Sequence, residues 1–478
     1  MQKLDNFIDG KYVAPVSNRY IENVAPATGK VYNLVADSDK EDLAIAINAA
    51  NKTQTLWANT SITERSKILI RLAELIESNL ELLAEMECMD TGKPIQLART
   101  VDIPRAAANF RFFGSAIANY STEAHIMESV AVNYTRRAPL GIVGCISPWN
   151  LPLYLFTWKI APALAMGNCV IGKPSELTPA TAHFLGKIVN EAGLPNGVLS
   201  ILQGRGSDVG QAIVDHPAIK AISFTGGTLT GQKIARSTAN QLKKLSLELG
   251  GKNPIVLFND CDQELAIRET VRAAFSNQGQ ICLCGSRILI EDSFYEKFKS
   301  EFIAQVKSLQ IGDPGNNNTQ YGAVISAAHQ QKILNYISKA KEEGGVILAG
   351  GHAINPAGMQ GFFVEPTVIE SLDSTSCLNQ EEIFGPVVTL SSFQSIDEAV
   401  SLANSTSYGL ACSIWTSNIT KAHQVAHRIQ AGIVWINCWM LRDLRTPFGG
   451  MKDSGLGREG GEDALRFFSE PQNICVKL

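Results

Sequence analysis

An α/β fold with a parallel, doubly wound sheet is the architecture this sequence predicts, and two observations predict it. From about residue 140 onward, short buried-type apolar runs alternate with longer helical patterns, the order that parallel strand–helix–strand units require. The chain is also 478 residues long, beyond the roughly 250–300 at which one hydrophobic core stops growing, so two or more domains are expected. The first 90 residues read as two strand-like pieces followed by two helices. Ser38 and Glu41 spell a capping box ahead of Leu43, Ala46, Ile47 and Ala50. Ser61 and Glu64 repeat it before Ile68, Leu72, Leu75 and Ile76, and Asp90-Thr91-Gly92-Lys93-Pro94 closes that second helix. Strands are then predicted over 141–146, 168–172, 198–203, 221–224 and 255–258, separated by helices such as 178–192 and 231–239. A second α/β block follows, with strands near 287–290, 387–390 and 432–437. The segments 117–139 and 466–478 are strand-like but fit neither block.

Composition narrows the function. With 45% hydrophobic and 18% charged residues and a net charge of −4, the chain reads as a soluble globular protein without a global surface for nucleic acid or anionic membrane. The start, Met1 to Phe7, has neither the apolar core of a signal peptide nor the arginine-rich bias of a transit peptide. No run approaches the ~20 apolar residues of a membrane span. Ten cysteines are scattered without CxxC pairs, and seven histidines form no HExxH spacing. No metal site is therefore expected, and reduced thiols point to the cytoplasm.

Two segments carry chemistry. Asn277-Gln278-Gly279-Gln280-Ile281-Cys282 offers a nucleophile, with Cys284 a rival two residues on. Thiolate chemistry calls for a cysteine whose pKa is lowered by its setting. Leu247-Glu248-Leu249-Gly250-Gly251 places a carboxylate among apolar residues and glycines, which raises its pKa and suits a general base. Asn150 is either an oxyanion-hole donor or the cap of the helix that begins Leu151-Pro152. Leu151, Tyr154, Leu155 and Trp158 share one face of that helix, as core or as channel wall. No GxGxxG fingerprint is present, but Phe224-Thr225-Gly226-Gly227-Thr228 follows a strand and opens a helix whose N-terminus suits a pyrophosphate. Arg105 and Arg445 are suited to gripping a carboxylate.

These segments, with Pro148-Trp149-Asn150 and Glu382-Ile383-Phe384-Gly385-Pro386, lie in the order found in the NAD(P)-dependent aldehyde dehydrogenase family, which the chain resembles along almost its whole length. The resemblance implies a Rossmann-like cofactor domain (1–116 and 140–251), an α/β catalytic domain (252–450) and a small bridging sheet (117–139 and 466–478) that holds a homo-oligomer together. It selects Cys282 over Cys284 as nucleophile, gives Asn150 and the Cys282 backbone N–H the oxyanion, and makes Glu248 the deacylating base. It assigns Trp149, Lys173, Glu176, Gly226, Gly227, Glu382 and Phe384 to NAD, with Gly227 a departure from the family's usual serine. A carboxylate at 176 favours NAD over NADP by repelling a 2′-phosphate. Ser147-Pro148-Trp149-Asn150-Leu151-Pro152-Leu153, Trp435-Ile436-Asn437-Cys438-Trp439 and Gly455-Leu456-Gly457-Arg458-Glu459 look like the muconic semialdehyde dehydrogenase branch. That branch implies an aldehyde with a remote carboxylate, 2-aminomuconic 6-semialdehyde first and the 2-hydroxy compound as alternative. Arg105 and Arg445, with Leu151 and Trp158 nearby, are the expected substrate contacts. A broader enzyme, for example for betaine aldehyde, is the other alternative.

Overall fold

The mainly apolar runs 142–146, 169–172, 199–201 and 221–224 are buried along their length, so they need cover on both sides, and a parallel sheet flanked by helices supplies it. In the computed structural model, which describes residues 1–478, Lys244–Glu248, Ile219–Thr225, Ile142–Ile146, Cys169–Lys173 and Leu199–Ile201 lie side by side in parallel. Asn6–Ile8 and Lys11–Val13 extend one edge antiparallel, and Gly455–Leu456 closes the other. From Ile142–Ile146 the chain fills one side of the sheet, then crosses to fill the other. The break in strand order therefore falls between Ile142–Ile146 and Ile219–Thr225.

A second sheet of seven strands runs in the order Val346–Ala349, Thr367–Glu370, Val387–Phe393, Gly285–Glu291, Asn253–Leu257, Ala411–Trp415 and Ile433–Ile436. All neighbours are parallel except the first pair. One continuous cluster of 92 buried hydrophobic residues reaches both sheets, from Phe7 and Ile142 to Ile288 and Phe298, so the sheets share a packed interior. The segments 117–139 and 466–478 form a three-stranded antiparallel sheet. In it Ser469–Lys477 pairs with Ala131–Pro139 along its whole length, and Ala124–Met127 lies on the outside.

The amino-terminal region departs from the sequence expectation. Five short strands precede the first helix, not two: Gln2–Leu4, Asn6–Ile8, Lys11–Val13, Tyr20–Ala25 and Lys30–Ala36. The first helix, Lys40–Asn59, is capped by Asp39 rather than Ser38. Asp39 accepts from Glu41 N at 2.8 Å, and Asp42 returns a bond from Asp39 N at 3.1 Å. The Ser38 hydroxyl is taken by a buried exchange with Asn6 at 2.8 and 3.0 Å. Ile62–Ser78 ends at Asn79, and a third helix, Leu80–Thr91, runs to the left-handed Gly92. The Gly-Pro punctuation therefore closes the third helix.

Candidate active site

A break in strand order leaves a crevice beyond the carboxyl ends of the two strands that flank it, because the chains leave them toward opposite faces. Ile142–Ile146 runs into Ser147-Pro148-Trp149-Asn150, Ile219–Thr225 runs into Gly226-Gly227, and Glu248 ends the next strand out. The second sheet contributes the turn before Gly285–Glu291 and the loop before Val387–Phe393. A cavity of about 250 Å³ lies between them, lined by Trp149, Asn150, Gly226, Gly227, Cys282, Glu382 and Phe384.

Cys282 is delivered by an irregular turn. Asn277, Gln278 and Gly279 stand at φ 50°, 58° and 70°, a left-handed run that only surrounding structure can hold. The Asn277 amide donates to the carbonyls of Asn150 (3.0 Å) and Gln280 (3.2 Å), and Asn253 donates to the Cys282 carbonyl at 2.6 Å. A Cβ on Gly279 would sit 2.3 Å from the Gly385 carbonyl, so glycine lets the nucleophile turn rest on the Phe384 loop. Cys282 is half-buried and faces the cavity; Cys284 is buried with Sγ 3.8 Å from the Ser276 carbonyl. The expectation of a lowered thiol pKa is overturned. Burial pushes the Cys282 thiol well up, and the carboxylates of Glu382 and Glu248 push further, against a smaller opposing effect of Arg442. The thiol must lose its proton before it attacks.

Asn150 is 2% exposed. Its Nδ2 donates to Gln280 O at 2.9 Å, which leaves the second amide hydrogen free. It is not a helix cap: Leu151 holds that position in front of Pro152–Ala165, without a side-chain bond. That helix is buried on every face, not along one stripe. Glu248 is buried with no partner on either oxygen. Burial raises its pKa well above the carboxylate range, and Glu459 adds to the rise. Glu459 in turn accepts from Lys159 Nζ (2.7 Å) and Ser223 Oγ (3.0 Å). Lys159 lies in no motif of its own, and its pairing with Glu459, 300 residues away, has no signal in the sequence.

The cofactor residues meet a physical test. Helix Thr228–Thr238 opens at Gly227 with no side chain capping it, and the buried Thr225 hydroxyl beside it has no partner. A Cβ at Gly227 would touch nothing within 4 Å, so space lies in front of a bare helix N-terminus, as a pyrophosphate needs. Lys173 Nζ donates to Glu176 at 2.9 Å; this pair ends the neighbouring strand and stands outside the 250 Å³ cavity. Glu382 accepts from Gly251 N at 2.9 Å, and burial raises its pKa. Trp149 stands edge-on to Phe384, with ring centroids 5.3 Å apart. His329 and Lys332, on helix Ala327–Glu342, line the same cavity and were not legible in the sequence. His329 Nε2 meets the Phe384 carbonyl at 2.7 Å, and burial lowers its pKa to about 4, so the ring is neutral and donates. These groups fit a dinucleotide.

Arg105 lines two adjoining cavities. One, of about 410 Å³, also holds Leu151, Tyr154, Ile281 and Trp439. The other, of about 810 Å³, holds Phe112, Arg442, Asp443, Arg445 and Phe448. Arg445 is 80% exposed, and its guanidinium is bidentate on Asp443 at 3.0 and 2.6 Å. Arg442 is the inward one. It donates to the Tyr154 hydroxyl at 2.6 Å, covers the Phe448 ring at 3.9 Å and the Trp158 ring at 5.3 Å, and acts electrostatically on both Cys282 and Glu248. Arg105 lies 5.9 Å from the centre of the Tyr154 ring. The inner partner of Arg105 is thus Arg442 rather than Arg445: a carboxylate two residues before Arg445 claims its fork.

The model of the aldehyde dehydrogenase family matches residues 12–474. The 2-aminomuconic semialdehyde dehydrogenase of Bos taurus is 48% identical over 99% of this chain and 98% of its own. The 2-hydroxymuconic semialdehyde dehydrogenase of Pseudomonas sp. (strain CF600) is 44% identical over the full length of both. Among solved structures, an NAD+ complex of an aldehyde dehydrogenase from Bacillus cereus superposes with a TM-score of 0.97, at 38% identity over 100% of this chain and 97% of that one.

Proposed function

Because the chain belongs to the aldehyde dehydrogenase family, we propose that it oxidises a carboxylate-bearing semialdehyde, 2-aminomuconic 6-semialdehyde, to the dicarboxylate with NAD as hydride acceptor. The observation that carries the substrate is the pair Arg105 and Arg442, both against Tyr154 where the two cavities meet at Arg105. Two guanidinium groups beside one tyrosine match a remote carboxylate. They repel a quaternary ammonium, which argues against betaine aldehyde. The relatives at 46–48% identity that act on the amino compound support that substrate. The relative at 44% supports the 2-hydroxy compound as the second reading.

Cys282 Sγ loses its proton to solvent through the cavity and then forms the bond to the carbonyl carbon. The free amide hydrogen of Asn150 and the Cys282 backbone N–H receive the developing alkoxide. NAD, when bound, supplies the hydride-accepting ring. Glu248, a buried carboxylate with a raised pKa and no fixed partner, then takes a proton from the water that cleaves the thioester, and Glu459 stands behind it to pass that proton on. Trp149, Lys173, Glu176, Gly226, Gly227, Glu382 and Phe384 hold the cofactor.

The same reading makes the protein a cytoplasmic homo-oligomer. Ten free cysteines without a disulfide suit a reducing compartment. The outer strand Ala124–Met127, with Ile126 74% exposed, offers an apolar edge to a second copy. No helix is long and apolar enough to cross a membrane. The test is NADH formation with each semialdehyde, for the unaltered protein and Cys282→Ser. Turnover of a muconic semialdehyde that vanishes in Cys282→Ser supports the proposal; no NADH from either semialdehyde refutes it.

A further inference from the structure

The reaction leaves one fully buried charge pair unused. Lys93 and Asp102 have side chains with no solvent exposure, and the Lys93 ammonium is hydrogen-bonded to Asp102. The second Lys93 hydrogen goes to the backbone carbonyl of Asn150 at 2.9 Å, and the third faces Glu87 Oε1 at 3.9 Å. The ammonium thus makes two hydrogen bonds, and one of them goes to the residue proposed to stabilise the oxyanion. Burying such a pair takes several kcal/mol of hydration from each ion, so hydrophobic residues would serve a purely structural purpose at least as well.

Asp102 has its own place in the channel. It closes a π-helical turn, Ala98–Asp102, set between Ile95–Leu97 and Ile103–Ala118. Such turns inside a helix re-aim side chains and concentrate at functional sites. Asp102 lines the 410 Å³ chamber with Arg105, and its second oxygen is buried with no partner. The next helix, beginning at Ile103, carries Arg105 in its first turn. A chain of contacts therefore runs from the helix that holds Arg105, through Asp102 and Lys93, to the backbone of Asn150, whose amide is also tied to Gln280, two residues before Cys282.

We propose that Lys93, held by Asp102, is a positioning residue that fixes Asn150 in the oxyanion-stabilising geometry and ties it to the carboxylate-reading end of the channel. This rests on the oxyanion role given to Asn150 above. Lys93 touches neither substrate nor thiol; it acts through Asn150. Its removal should therefore slow bond formation at Cys282 and leave substrate capture almost intact.

The test is a double-mutant cycle on the full-length enzyme, read by the pre-steady-state NADH burst. Asn150→Ala should slow the burst by about 100- to 1,000-fold, the usual loss for one oxyanion donor. Lys93→Met should slow it by about 10- to 100-fold and change KM less than about threefold. In the Asn150→Ala background Lys93→Met should add less than about threefold, because residues that act through one another are not additive. Independent multiplication of the two effects would overturn the proposal, and so would a Lys93→Met enzyme with an unaltered burst. An Asn150→Ala enzyme with a normal burst would instead refute the oxyanion role itself. Asp102→Asn, which keeps volume and shape, should show the same non-additivity and decides the matter if Lys93→Met does not fold.

Discussion

Arg442 donates to the Tyr154 hydroxyl at 2.6 Å, so the guanidinium that faces Cys282 is held from the buried helix Pro152–Ala165 and not only by its own loop. A held arginine binds a carboxylate without first being ordered. Tyr154→Phe removes that hold and should raise KM for a carboxylate-bearing semialdehyde about 2- to 12-fold, the value of one hydrogen bond, in steady-state assays. Arg445→Ala should change the same constant less than about twofold, since Arg445 is exposed and already satisfied by Asp443.

The Glu248 carboxylate should govern the acid limb of turnover. Its folded pKa is raised by burial and by Glu459, and the base works only when ionised, so kcat falls as pH drops through that pKa. Glu459→Gln withdraws a negative charge and leaves the Lys159 ammonium unopposed, both of which favour ionised Glu248. The acid limb of kcat should then move to lower pH by about one unit. A limb that stays or moves upward contradicts the coupling. Glu248→Gln should still release one equivalent of NADH per site before it stalls.

The thiol makes an opposite kind of prediction. With the Cys282 pKa raised above an ordinary cysteine, the thiolate fraction below it grows tenfold per pH unit. Iodoacetamide inactivation without cofactor should be slow at pH 7 and rise steadily beyond pH 9. Glu382→Gln removes the larger of the two carboxylate contributions and should speed inactivation at pH 8 about 3- to 10-fold, or half to one pKa unit. Inactivation that is fast and flat from pH 6 upward contradicts the raised pKa.

Cofactor choice turns on Glu176. Lys173 lowers its pKa despite burial, so a carboxylate stands charged at the end of strand Cys169–Lys173. The kcat/KM ratio of NAD to NADP should favour NAD, and Glu176→Gln should narrow it about tenfold, the effect of removing one repulsive charge contact. Equal ratios in the two proteins contradict the assignment.

Much of this was legible in the chain itself because the residues concerned sit in local patterns. Apolar runs announced most of the parallel strands, and Asn150, Gly226-Gly227 and Glu248 lie at or just beyond strand ends, where the fold places a crevice. Four things were not legible. Asp39 rather than Ser38 caps the first helix, because either residue type serves and only the buried Asn6 partner decides between them. Arg442 rather than Arg445 faces the chamber, because the choice lies with Asp443, a competitor whose geometry a sequence does not reveal. The raised thiol pKa comes from Glu382 and Glu248, each distant in sequence from Cys282. His329, Lys332 and Lys159 reach the site from remote segments and carry no local pattern of their own.

The central claim is that Arg105 and Arg442 read a carboxylate at the far end of the aldehyde. The most direct measurement compares kcat/KM for a muconic semialdehyde with that for a neutral aldehyde of equal length, in the unaltered enzyme, Arg105→Ala and Arg442→Ala. A charge-assisted bond contributes about 1.5–3 kcal/mol, so each substitution should lower the charged substrate about 10- to 150-fold and the neutral one less than about threefold. An equal fall for both aldehydes would contradict the claim and leave the two arginines as supports of the loop alone.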